Sequence, residues 1–151
     1  MNFDAHCDIW TDVTHHYLDG EHDIFRKYHY ERLKKGDIEG GIFVIWNDPP
    51  YDKDPLKRTH QMMDAITQEE PECADIMKVC RSYKDMMAAK ADGKMYAFIG
   101  LEGLKSIGED VDMIDESTSS APDTQALPGT KKIRWLPAQG AAKTAGLQIL
   151  P

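Results

Sequence analysis

Cysteine is scarce in this chain, and the three present, Cys7, Cys73 and Cys80, form no C-x-x-C pair. An odd number at these intervals argues against a disulfide-stapled scaffold or a structural zinc knuckle. Reduced thiols and a cytoplasmic setting are expected instead. Long apolar runs are missing too: no stretch approaches the roughly 20 residues of a spanning helix. Basic residues are outnumbered, 18 against 26 acidic, for a net charge of −8. That balance argues against a nucleic-acid partner or an anionic-membrane partner, either of which needs a basic face. Met1-Asn2-Phe3-Asp4 has neither a basic nor an apolar leader region, so no secretory signal is expected. No internal repeat is visible. Length is short as well. The 151 residues suffice for one domain with its own core, whereas a full (β/α)8 barrel takes about 250.

What is present is distributed unevenly. All six histidines lie at or before His60, and four of the eight prolines lie after Glu116. Residues 117–151 carry a net +3, with Lys131, Lys132, Arg134 and Lys143 against Asp123; residues 1–116 carry −11. The segment Ser117–Pro151 is rich in Ala, Gly, Ser, Thr and Pro and has no clear period, the composition of a low-complexity tail. Two units are therefore expected, 1–116 and 117–151.

Within the first unit, Phe3, Ala5 and Cys7 alternate with Asp4, His6 and Asp8, which predicts a short strand over Met1–Asp8. Ile9–Tyr28 is polar and mixed, a loop with one or two helical turns, and Tyr30–Lys35 is a short helix stopped by Gly36. Ile42-Phe43-Val44-Ile45-Trp46 ends a strand over Ile38–Trp46 buried on both faces. Leu56–Ala91 reads as two helices with Pro71 at their boundary. Met77, Cys80, Tyr83, Met86 and Met87 then form one apolar face, as core packing. Met95–Leu101 is a third strand, and Ile107–Asp115 begins another helix. Alternating strands and long connectors imply an α/β fold with about three parallel strands.

Three side chains carry the chemistry. His6 and Asp8, two apart at the end of a strand, share a face and suit a borderline metal such as zinc. Taken alone, such a pair is more often a surface histidine hydrogen-bonded to an aspartate. Glu102 adds a carboxylate directly after an apolar strand, between Gly100 and Gly103. That is where α/β sheets place ligands, at the carboxyl ends of the strands, though it is also where an ordinary exposed glutamate sits. His15, His16 and His22 lie among Asp19, Glu21 and Asp23, a pattern better explained by a solvated loop than by a metal site. Cys7 should face away from its neighbours as packing. Gly40-Gly41 lacks a phosphate-loop context and fits close backbone approach.

Phe3-Asp4-Ala5-His6-Cys7-Asp8, then Gly40-Gly41-Ile42-Phe43, then Leu101-Glu102-Gly103 resemble the start of the renal (membrane) dipeptidase family of metallopeptidases, over Phe3 to about Glu116. The resemblance implies the N-terminal portion of a (β/α)8 TIM-like barrel, two zinc ions and hydrolysis of small dipeptides. It implies that His6 and Asp8 hold the first zinc and that Glu102 bridges both, keeping the ions about 3.5 Å apart. The family's other zinc histidines, its catalytic aspartate and its substrate-binding histidine and arginine come from later strands. No catalytic residue of the family therefore has a counterpart here, and a truncated, inactive chain is expected. A homo-oligomer is compatible with this reading. Two rivals remain open. One is another metal-dependent amidohydrolase-type barrel, which usually carries H-x-H where this chain has His6-Cys7-Asp8. The other is a non-catalytic interaction fragment.

The tail admits a second explanation. If one base is lost after the codon of Glu116, the codons of Ser117 onward permit L-Y-E-F-G-A-R-H-A-S-L-T-W-N-E-E-N in the shifted frame. This resembles the family's continuation, so out-of-frame translation of Ser117–Pro151 is the expectation.

Overall fold

In the computed structural model, which describes residues 2–103, 105–106 and 136–137, the chain begins with β1 (Asn2–Cys7), α1 (Ile9–Leu18) and a π-helical turn (Phe25–Tyr30). It continues through α2 (Glu31–Lys35), β2 (Ile38–Trp46), a 3-10 turn (Tyr51–Lys53) and α3 (Pro55–Glu72). Then come β3 (Met77–Val79), α4 (Tyr83–Ala91), β4 (Met95–Glu102) and β5 (Leu136–Pro137). The strands form one parallel sheet in the order β1-β2-β4-β3, with β5 also on β4. The α/β class and the parallel sheet are as the sequence predicts.

The central pair explains the run of apolar residues. β2 and β4 are in register from Gly40↔Tyr96 to Trp46↔Glu102. Phe43, Ile45, Ala97, Ile99 and Leu101 join the main core with Trp10 and Val13 of α1 and Met62 and Ile66 of α3. Tyr96 faces the other way, into a smaller cluster with Cys80 and Ala89 of α4. Each large apolar side chain so buried contributes roughly 1.5–3 kcal/mol. Gly40 and Gly41 are needed for close approach: a Cβ at Gly40 would overlap the Tyr96 carbonyl, and one at Gly41 the Asp4 carbonyl.

Three local readings need correction. The strict alternation expected in β1 is broken. Asp4 pairs with Gly41 and Cys7 with Phe43, so β1 spends one extra residue there, as in a β-bulge. Phe3 stacks on Tyr96 while Cys7 packs against the main core. The segment after Asp8 is helix α1 rather than loop. Ile9, Trp10, Val13 and Thr14 are buried on one side of it, a helical spacing that the intervening polar residues obscured. Between the two predicted helices lies strand β3. α3 carries Pro71 in its last turn and ends at Glu72, and Met77–Val79 then pairs with Met95–Ala97. Three residues are too few to show a period, and pairing with β4 decides their conformation.

Asp54 caps α3 by accepting the Lys57 N–H at 3.2 Å, with Pro55 at the first helical position. Ser82 caps α4, accepting from Asp85 N, while the Asp85 carboxylate accepts from Arg81 N at 3.1 Å. Because β3 covers only the first half of β4's outer edge, Leu136–Pro137 can pair with Gly100–Leu101 farther along it. Two residues of the expected irregular tail are thus strand. The predicted helix at Ile107–Asp115 and the rest of 117–151 lie outside the described residues.

Candidate metal centre at the strand ends

β1 and β4 both end at the carboxyl rim of the sheet, flanking β2, and this brings His6 and Glu102 together. His6 Nε2 lies 3.1 Å from Glu102 Oε2 and 3.9 Å from Asp8 Oδ1. Ligand atoms of His6, Asp8 and Glu102 all lie within 4.8 Å of one another. Sequence spacing placed Asp8 on the strand. The structure places it one step beyond, at the N-cap position of α1. Its carboxylate makes no capping hydrogen bond there, so α1 does not consume it. The bulge in β1 is fixed in part by the His6 N–H, which donates to Asp4 Oδ1 at 3.0 Å. Cys7 turns to the core as expected, and burial, reinforced by Asp4, pushes its thiol up to about 11.

The donor set is chemically coherent. One imidazole nitrogen and two carboxylates form a site of net negative charge, partly open to water, and suit a borderline divalent ion. A carboxylate with two oxygens can serve one ion or link two. Trp46, opposite Glu102 in the ladder, is exposed at the same rim.

Residues just beyond β2 form a second polar group that spacing gave no reason to single out. Asp48 accepts from buried Arg58 Nε at 3.0 Å through Oδ1, and its Oδ2 lies 3.5 Å from His15 Nε2. The Arg58 guanidinium lies over the Tyr51 ring, 4.1 Å from its centroid. Thr59 donates to Asn47 Oδ1 at 3.3 Å. The only available signal was Asn47-Asp48-Pro49-Pro50, read as a strand stop.

His15, His16 and His22 are not gathered into one site among the described residues. His15 faces Asp48; His16 Nδ1 meets Glu21 Oε1 at 2.6 Å and stacks on Tyr28; His22 meets Glu72. The His16 and Tyr28 hydrogen bonds hold the Glu21 carboxyl below its usual range.

Comparison with known proteins bears on this geometry. The family model described as membrane dipeptidase, peptidase family M19, matches residues 1–120. Among solved structures, the metallopeptidase dipeptidase AC is similar at TM-score 0.64 and 21% identity, over 76% of this chain and 38% of its own. A metallopeptidase from Rhodobacter sphaeroides, liganded with a phosphinate mimic of L-Ala-D-Ala, is similar at TM-score 0.61 and 19% identity. That match spans 76% of this chain and 41% of its own. The chain thus spans about two fifths of the length of these solved relatives. No curated protein matches it.

Proposed function

Because the chain belongs to the membrane dipeptidase family of metallopeptidases, we propose that His6, Asp8 and Glu102 are one side of a zinc centre for hydrolysis of small dipeptides. The observation that carries this is their convergence at the carboxyl rim, within the segment matched to the family. The family also favours this chemistry over that of an amidohydrolase-type barrel.

When bound, the metal supplies Lewis acidity toward a peptide carbonyl and acidifies water at neutral pH. The chain's own residues fix where that happens. β1 aims the His6 ring, β4 aims Glu102, and the start of α1 holds Asp8 alongside. Glu102, facing His6 with one of its two oxygens, would be the residue able to hold a second ion as well as the first. Trp46 offers an apolar edge beside the carboxylate for a substrate side chain.

With histidine absent after His60, the set has one imidazole where two-metal sites of this family use more. We therefore propose weak zinc binding and little dipeptidase activity for this chain. Metal analysis after zinc loading tests the site: His6→Ala should lower the bound zinc by one ion per chain. Unchanged stoichiometry would refute it, and dipeptide hydrolysis at ordinary enzyme rates would refute the inactivity.

We also propose that residues 1–116 are dipeptidase sequence and that Ser117–Pro151 is translated out of frame. Its support is the shifted reading and the −11/+3 charge split. Resequencing the gene across codon 116 decides it, and an intact frame encoding the tail as written would overturn it.

A further inference from the structure

A second cluster lies at the other end of the sheet, where α3 runs out before β3 begins. Glu69 and Cys73, four apart at the end of α3, share a side, and Asp23 meets them from the turn after α1. Cys73 Sγ lies 3.1 Å from Glu69 Oε1 and 3.5 Å from Asp23 Oδ1. The ligand atoms of all three lie within 4.8 Å of one another.

Glu69 supplies the independent reason to expect a ligand. Its side chain is fully buried, and no Lys, Arg or His among the described residues lies within ion-pair distance. The Phe25 N–H and the Cys73 S–H both donate to Oε1, while buried Oε2 has no hydrogen-bond partner. Buried carboxylates are ordinarily paired or coordinate metals. Arg26 donates from Nε to both oxygens of Asp23 at 3.0 Å and grips Asp75 from outside, which orients Asp23 as an outer-shell partner would.

We propose that Asp23, Glu69 and Cys73 hold a thiophilic divalent cation of the zinc or cadmium kind. Without it the cluster's two carboxylates have only Arg26 opposite them among the described residues, and Arg26 is shared with Asp75, so negative charge is left over. On binding, the Cys73 S–H bond breaks, its proton leaves to solvent and an Sγ–metal bond forms, with no redox change. Thiolate with carboxylate selects zinc or cadmium over magnesium or calcium. Asp23, about one-third exposed, gives the ion a way in.

This site is independent of the rim and is tested separately from it. The full chain, reduced and metal-free, is titrated with cadmium while the ultraviolet thiolate-to-cadmium charge-transfer band is followed. One equivalent should raise the band. Cys73→Ser should abolish it; Cys7→Ser, Cys80→Ser and His6→Ala should retain it, since the rim triad offers no sulfur. Glu69→Gln, which keeps the shape, should weaken cadmium binding about tenfold or more with the circular dichroism unchanged. No band at saturating cadmium, a band surviving Cys73→Ser, or unaltered affinity in Glu69→Gln would each overturn the proposal. If Cys73→Ser fails to fold, the Glu69→Gln affinity decides. A rim that fails its own zinc test leaves the cadmium result untouched.

Discussion

His6 Nε2 stands 3.1 Å from Glu102 Oε2, an imidazole from β1 meeting a carboxylate from β4 with β2 between them. Both side chains are partly open to water and neither belongs to the hydrophobic core, so neither is held there by core packing. Glu102→Gln keeps the shape and removes the charge. Zinc affinity at the rim should fall about 10–100-fold, as losses around metal sites typically do. Competition with a chromophoric chelator measures it, with Cys73→Ser as background so that only the rim is read. Equal affinity in both proteins would remove Glu102 from the site.

Gly40 lets β2 approach β4. An added methyl would overlap the Tyr96 carbonyl oxygen, which is ladder backbone and has little room to move. Gly40→Ala should cost about 2 kcal/mol or more, in the range of overpacked cores. Urea unfolding measures this, and an unchanged midpoint would mean that the strands lie farther apart in solution.

How much of this could be read from the residues depended on which force fixed each piece. β2 and β4 were legible because both faces are buried, and the demand for apolar residues is then continuous. The convergence of His6 and Glu102 was legible to the extent that strand ends in parallel sheets collect at one rim; that β1 and β4 stand only one strand apart was not. α1 was hidden although Ile9, Trp10, Val13 and Tyr17 lie at helical spacing, because the five polar residues between them, His15 and His16 included, give the segment the composition of a loop. β3 was hidden because only its partner makes it a strand. The bulge in β1 was invisible for a related reason: nothing in Phe3–Cys7 departs from alternation, and the extra residue shows only in the register against Gly41 and Phe43. Asp48 and Arg58 were missed because their pairing joins a loop to a helix face, which no local pattern encodes.

That pair makes a stability prediction. Arg58 is 1% exposed and Asp48 10%, so the ion pair is removed from water. Breaking a buried pair from one side strands the other charge and costs about 3–5 kcal/mol. Asp48→Asn should therefore destabilise the chain by about 3 kcal/mol. Adding Arg58→Met to it should recover part of the loss, since no charge then remains buried. Urea unfolding of the two single variants and the double variant gives the coupling. Additive losses would show that the two residues act separately.

His29 sets a pH dependence of definite sign. Its side chain is 13% exposed, and Nε2 lies 3.0 Å from Asp12 Oδ2. Burial pushes the imidazole below its ordinary value against the opposing pull of Asp12, with Arg32 and His16 pushing the same way as burial. The folded chain therefore prefers neutral His29, and as pH falls the unfolded chain takes up the proton first. Stability is then fully present above the unfolded value, about 6.5, and is lost as pH falls through it toward the lower folded value. His29→Gln removes the proton site but leaves Asp12, Arg32 and His16 in place. Urea midpoints measured between about pH 7.5 and pH 5 should fall less steeply in His29→Gln than in the unmodified chain. The range spans the ordinary histidine value, where the difference is greatest. Parallel slopes in the two proteins would mean that the acid sensitivity of the fold belongs to other groups.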